Sequence, residues 1–127
     1  MSFGKFIFSV AKTKVGDYIV GVTFKYFSQL LPVKVIFKNK YVFAFLHPKP
    51  YWKNHIVIVP IKKIKNIASI KSEDAVYLLQ VYKCVQKIVS DFKWVEYSVL
   101  VNGGKRQNIN QLHFHLFCGK KLVNPKV

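Results

Sequence analysis

Apolar positions change their spacing once along this chain, at Pro32. Before it, Phe3, Ile7 and Val10, then Ile19, Val22, Tyr26 and Leu30, recur near the helical period, with Lys5, Lys12, Lys14 and Lys25 between them. After it, apolar residues come in short β-rich runs. Val33 to Phe37 and Tyr41 to Leu46 flank Lys38-Asn39-Lys40 and predict a hairpin. Pro48 and Pro50 force an irregular loop. Ile56-Val57-Ile58-Val59, ended by Pro60, predicts a central strand, and the lysine-rich stretch Ile61 to Ile70 a surface turn or short helix. Ser72-Glu73-Asp74 predicts a helix start, with a capping serine and acids near the positive end of the dipole. Ala75, Leu78, Leu79, Tyr82, Val85, Ile88, Val89 and Phe92 would form the apolar stripe of one long helix. Val95 to Val101 predicts another strand, broken by Asn102-Gly103-Gly104. Gln111 to Phe117 alternates strictly and predicts the last. The order is helices, three strands, a long helix, two strands. It specifies an α+β fold with an antiparallel sheet carrying helices on one side.

The 127 residues suit one domain with a real core, and about half of them are apolar. Two cysteines, Cys84 and Cys118, make no disulfide framework and suit a reducing, cytoplasmic setting. No run of eighteen apolar residues is present, so no transmembrane helix is expected. The net charge is +16, from 21 Lys and Arg against 5 Asp and Glu. Arg106 is the only arginine. Such a field attracts nucleic acid and anionic lipid. A dedicated base reader would instead use arginines, and a bias toward lysine explains the same number. Residues 1–30 read either as a helical extension covering the sheet, as a basic transit segment, or as an amphipathic helix peripheral to an anionic membrane.

Candidate chemistry is concentrated in four histidines. On the last strand, Gln111, His113 and His115 are expected on one face, with Leu112, Phe114 and Leu116 on the other. His47 and His55 flank Pro48-Lys49-Pro50-Tyr51-Trp52. A neutral imidazole attacks phosphorus at neutral pH, and a second on the same face binds or protonates a phosphate oxygen. The loop Gly103-Gly104-Lys105-Arg106-Gln107-Asn108 supplies backbone N–H groups, cations and amides for a shifting phosphate charge. His-x-His is also a metal-ligand spacing. However, Cys118, three residues from His115, falls on the opposite face of a strand and no second pair lies nearby, which argues against structural zinc.

Gln107 to Gly119 resembles the signature of the histidine triad (HIT) superfamily, His-φ-His-φ-His-φ-φ, where φ is apolar. Ala44-Phe45 through His55-Ile56-Val57-Ile58-Val59-Pro60 resembles that family's strand, substrate loop and following strand, and Val101-Asn102-Gly103 its Val-Asn-x-Gly turn. The resemblance spans residues 33–119 and implies a five-stranded antiparallel sheet with one long helix packed on it. The HIT-like domain would occupy 31–127 behind an N-terminal helical extension at 1–30. It implies a homodimer sharing a continuous sheet, no metal and no cofactor, and a substrate that is a purine nucleotide conjugate cleaved at the α-phosphate. It implies His113 as nucleophile, His115 as the contact to phosphate or bridging atom, and His55 as support. Gln107, Asn108, Gly104 and Asn102 would hold phosphate, leaving group or ribose, and Phe45 and Pro48 would wall the base. Gln111 stands at the first triad histidine, where an amide orders a network but relays no proton. His47 stands where many members have an aspartate that grips the ribose, so base and sugar preference stay open. A non-catalytic basic protein on the same fold, engaging nucleic acid or membrane through its lysines, is the alternative.

Overall fold

The fold is described from a computed structural model, which covers residues 34–124; the expected helical extension over 1–30 lies outside the described residues. Five strands form one antiparallel sheet. They are β1 (Val35–Lys38), β2 (Val42–Leu46), β3 (Trp52–Pro60), β4 (Ser98–Val101) and β5 (Phe114–Lys121), in the order β1-β2-β3-β5-β4. Among the described residues a single long helix, α1 (Ala75–Asp91), packs on one face. This is the α+β architecture expected from the pattern. No helix among the described residues is long and apolar enough to cross a membrane.

The hairpin closes where the lysines flank Asn39. The Asn39 side-chain oxygen accepts the main-chain N–H groups of Tyr41 and Val42, at 2.8 and 2.9 Å, an Asx turn that reverses the chain. β2 and β3 then pair from Val42 opposite Pro60 to Leu46 opposite Ile56. Proline donates no ladder hydrogen bond, which is why it stands at the end of β3 and not inside it. β3 is longer than the apolar run that announced it. Its ladder with β5 continues down to Trp52, so polar Lys53, Asn54 and His55 are strand residues held by their partners.

Alternation divides the sheet into two faces. Val42, Ala44, Ile56, Ile58, Phe114 and Leu116 meet Val81, Cys84, Val85 and Ile88 of α1 in the core. On the other face lie Phe43, Phe45, Val57, Val59, His55 and His115, also buried.

Three expectations are corrected. The helix proper begins at Ala75. Ser72–Asp74 is a 3₁₀ turn capped by Lys71, whose N–H donates to the Asp74 carboxylate, so Ser72 is not the cap. The apolar stripe is narrower than anticipated. Leu79 and Tyr82 are each 53 % exposed and Phe92 50 %, while Val81 and Cys84 are buried. The buried set spaces i, i+3, i+4 and i+7, one face of the 3.6-residue period. Finally, β4 starts at Ser98, because Val95 finds nothing to pack against and is 98 % exposed.

Candidate active site

β3 and β5 are central neighbours, and their register places His55 opposite Phe117 and Val57 opposite His115. His55 and His115 therefore share the face away from α1. The Nε2 of His55 lies 2.9 Å from the Nδ1 of His115. His47 leaves β2 and stacks on His55, with ring centroids 4.3 Å apart. His113 stands edge-on to His115 at 5.1 Å. All four histidines, 68 residues apart at the extremes of the sequence, thus form one cluster.

Main-chain groups fix where each proton sits. The N–H of Tyr51 donates to the Nδ1 of His55 at 3.1 Å, so the neutral ring carries its hydrogen on Nε2 and donates it to the Nδ1 of His115. His115 must then carry its own hydrogen on Nε2. The Nδ1 of His113 faces the carbonyl of Gln111 at 2.9 Å and donates to it, which leaves the lone pair of His113 on Nε2. The N–H of Lys49 donates to the Nδ1 of His47 at 2.9 Å, which puts that ring's hydrogen on Nε2.

The rings are held neutral. Burial, then the neighbouring His113, lowers His47 to about 4. Burial is also the main cause that lowers His55, with His47 adding to it, and that lowers His115, with His113, His55 and His47 adding to it. Burial lowers His113, against a smaller upward pull from its bond to Gln111. At neutral pH the cluster therefore offers one unprotonated imidazole nitrogen on His113 and N–H donors on His115 and His47.

Ligand nitrogens of His47, His55 and His115 all lie within 4.8 Å of one another, a spacing that a metal ion could span. The wiring opposes it. A metal-bound neutral imidazole uses its outer nitrogen as a donor, usually to a carbonyl or carboxylate. The outer nitrogens of His47 and His55 instead accept main-chain N–H bonds. The donor set suits protons better than a metal.

The expectation for Gln111 needs correcting. Gln111, Leu112 and His113 precede β5, because the chain here bonds to the loop after β3: the Leu112 N–H donates to the Ile64 carbonyl at 2.7 Å. The Gln111 side chain is 1 % exposed and makes no hydrogen bond to an imidazole. Its amide nitrogen donates to the carbonyls of Pro60 and Lys62, at 3.2 and 3.1 Å. What reaches His113 from position 111 is the main-chain carbonyl. Any residue supplies a carbonyl, so glutamine at this position preserves the contact to the neighbouring histidine. Gln111→Ala is expected to cost about 1–3 kcal/mol of stability through unpaired buried carbonyls, read as a lower urea midpoint. Activity per folded molecule would be retained; its complete loss in folded protein would refute this assignment.

The remaining candidates are placed as follows. Phe45 is fully buried on the histidine face, and Pro48 lies in the bend after His47. Asn102 follows β4 and is half-buried. Gly104 has φ +57°, the left-handed region that glycine enters without strain, and it opens the 3₁₀ turn Gly104–Arg106. The Gln107 side chain donates to the Lys65 carbonyl at 2.6 Å and so ties its loop to the lysine-rich segment. Asn108 is exposed. The contributions that sequence reading missed are main-chain ones, from Tyr51, Lys49 and Gln111. No side-chain signal announces them.

Residues 29–122 match the HIT domain. An uncharacterized HIT-like protein of Buchnera aphidicola is 33 % identical over 97 residues, covering 73 % of this chain and 87 % of the relative. A solved HIT family hydrolase from Clostridium thermocellum superposes with a TM-score of 0.68 at 25 % identity, covering 81 % of this chain and 90 % of that one. A histidine triad nucleotide-binding protein from Candida albicans superposes with a TM-score of 0.64 at 23 % identity, over 75 % and 71 %. The chain belongs to the HIT family.

Proposed function

We propose that this protein is a nucleotidyl hydrolase or transferase that cleaves a nucleotide conjugate at the α-phosphate through a nucleotidyl-histidine on His113. The supporting observation is the proton arrangement: a lone pair on His113 Nε2 beside an N–H on His115 Nε2. In the first step His113 Nε2 bonds to the α-phosphorus and the bond from phosphorus to the leaving atom breaks. That atom takes the proton from His115 Nε2. In the second step water attacks phosphorus, the N–P bond breaks, and the water proton returns to His115. His55 supports this by holding the Nδ1 of His115 as an acceptor, which keeps the Nε2 hydrogen in place. The words "hydrolase" and "nucleotide-binding" in the names of the solved relatives agree with the reading. AMP release from adenosine 5′-phosphoramidate tests it; the folded wild-type protein releasing none, from this or from a lysyl-linked adenylate, would refute it.

The working unit in this reading is a homodimer. β4 is an edge strand of only four residues, and among the described residues one side of its ladder is open. Val99 of β4 and Tyr97 just before it are exposed, as are Leu79 and Tyr82 of α1. Antiparallel pairing of two β4 edges would continue the sheet and cover these side chains. Sedimentation equilibrium is expected to give twice the chain mass, and a monomer at micromolar concentration would contradict it.

A further inference from the structure

The lysine-rich segment between β3 and α1 has no part in the chemistry above, yet it borders a pocket. The walls come from this segment and from the 3₁₀ turn that leads into α1, and the volume is about 290 Å³. That is close to the lower end for small-molecule sites, roughly 300–1,000 Å³. No histidine lines the pocket. His55 and His115 are on the other face of the sheet, whereas Ile64 of the pocket belongs to the core that α1 covers.

Lysines are frequent throughout this chain, so their number decides nothing; their convergence does. Lys62, Lys63, Lys65 and Lys71 all border the cavity, against the two acids Glu73 and Asp74. Both acids are engaged by Lys62, which contacts Asp74 and lies 3.7 Å from Glu73. Asp74 also accepts the Lys71 main-chain N–H at 2.9 Å and is 2 % exposed. Lys63, Lys65 and Lys71 are exposed and form no ion pair among the described residues. Converging ammonium groups repel one another, so the backbone that carries them has to be held. Three bonds from the stretch before β5 hold it. The Leu112 N–H donates to the Ile64 carbonyl at 2.7 Å, the Gln111 amide to that of Lys62 at 3.1 Å, and the Gln107 amide to that of Lys65 at 2.6 Å. The site is thus built before a ligand arrives, which lowers the ordering cost of binding.

The lining also selects among ligands. It holds no aromatic ring, so a nucleobase would have nothing to stack on. It holds no arginine, the fork that planar carboxylates favour, while lysines serve phosphate oxygens as point charges. Lys62 already fills the place between the two carboxylates that a cation would take. We infer that the pocket of Lys62, Lys63, Lys65 and Lys71 binds a base-free condensed phosphate, a di- or triphosphate, at a site separate from the histidine cluster. The ligand carries more negative charge than the Glu73 carboxylate, 67 % exposed, which it displaces from Lys62. The site takes nothing from the reaction proposed at His113, and the two stand or fall separately.

Calorimetric titration of the whole chain with tripolyphosphate, at physiological ionic strength, tests this. A one-to-one binding event is expected. Lys63→Gln with Lys65→Gln should weaken it at least about tenfold, for the loss of two charge-assisted contacts. Both side chains are exposed and unpaired, so this variant should match the circular dichroism of wild type. Lys71→Gln should weaken binding in the same direction. Lys53→Gln with Lys121→Gln removes the same charge from β3 and β5 and should change affinity less than about twofold, because salt screens distant charges. His113→Ala should bind as wild type does, and sulfate, a single doubly charged centre, should compete only weakly. Equal losses in the two double variants would overturn the site in favour of a diffuse field. Loss of binding in His113→Ala would overturn it by placing the anion among the histidines. An oligodeoxyadenylate that displaces tripolyphosphate at equal phosphate concentration would overturn it in favour of a nucleic-acid backbone.

Discussion

His113→Ala is expected to lower AMP release from adenosine phosphoramidate by at least about a thousandfold, the scale of loss when the group that forms the covalent bond is removed. The variant should fold. His113 precedes β5 and is not part of its ladder, and the one hydrogen bond of its ring goes to the Gln111 carbonyl. Losing that bond and leaving a small void costs about 1–3 kcal/mol, within reach of a domain whose core lies on the other face of the sheet. Far-ultraviolet circular dichroism should therefore match wild type. Turnover retained in the folded variant would show that another group attacks phosphorus. The nearest imidazole is His115, whose proton, held on Nε2 by the His55 bond, makes it a donor and not a nucleophile.

The second large effect is on stability in mild acid. Each of the four histidines is lowered from 6.5 in the folded protein. The unfolded chain therefore takes up protons below pH 6.5 while the folded chain does not. Stability from these groups is fully present above that pH and is lost as pH falls, until the folded groups themselves titrate, about 4 for His47 and lower still for His55 and His115. Each group removes up to about 1.4 kcal/mol per pH unit, so the four together remove at most about 5 kcal/mol per unit. That matches the whole stability of an ordinary domain, about 5–15 kcal/mol. The urea midpoint is expected to be flat above pH 7 and to collapse between pH 6 and 4. A midpoint unchanged from pH 7 to 5 would mean that the cluster is open to water and charges freely. The main cause is burial, which disfavours the charged ring, and neighbouring imidazoles add to it at His47, His55 and His115.

The departures from the family signature take a different weight once the geometry is known. Gln111 looked like a weakened triad because side chains are all that a motif records. The contact from that position to the nucleophile is a carbonyl, and the side chain serves the loop after β3. His47 is less neutral in its effect. It contributes an N–H where an aspartate would contribute two acceptors, so the groups it orients on a substrate differ in kind.

Elements whose signal is local were legible in the amino-acid order. The Asn39 turn, the β-branched run of β3, the long helix and the alternation into β5 all announced themselves, because side-chain period and turn chemistry act over a few residues. The α+β class followed from their order, and the set of four histidines from their scarcity. The tertiary structure alone decided the rest. Trp52 to His55 belong to a strand only because β5 supplies their partners, and the stripe on α1 is narrow because the sheet covers just one side of it. The protons of the cluster were beyond the sequence altogether. They are set by the main-chain groups of Tyr51, Lys49 and Gln111, which every residue possesses and only a folded chain can aim.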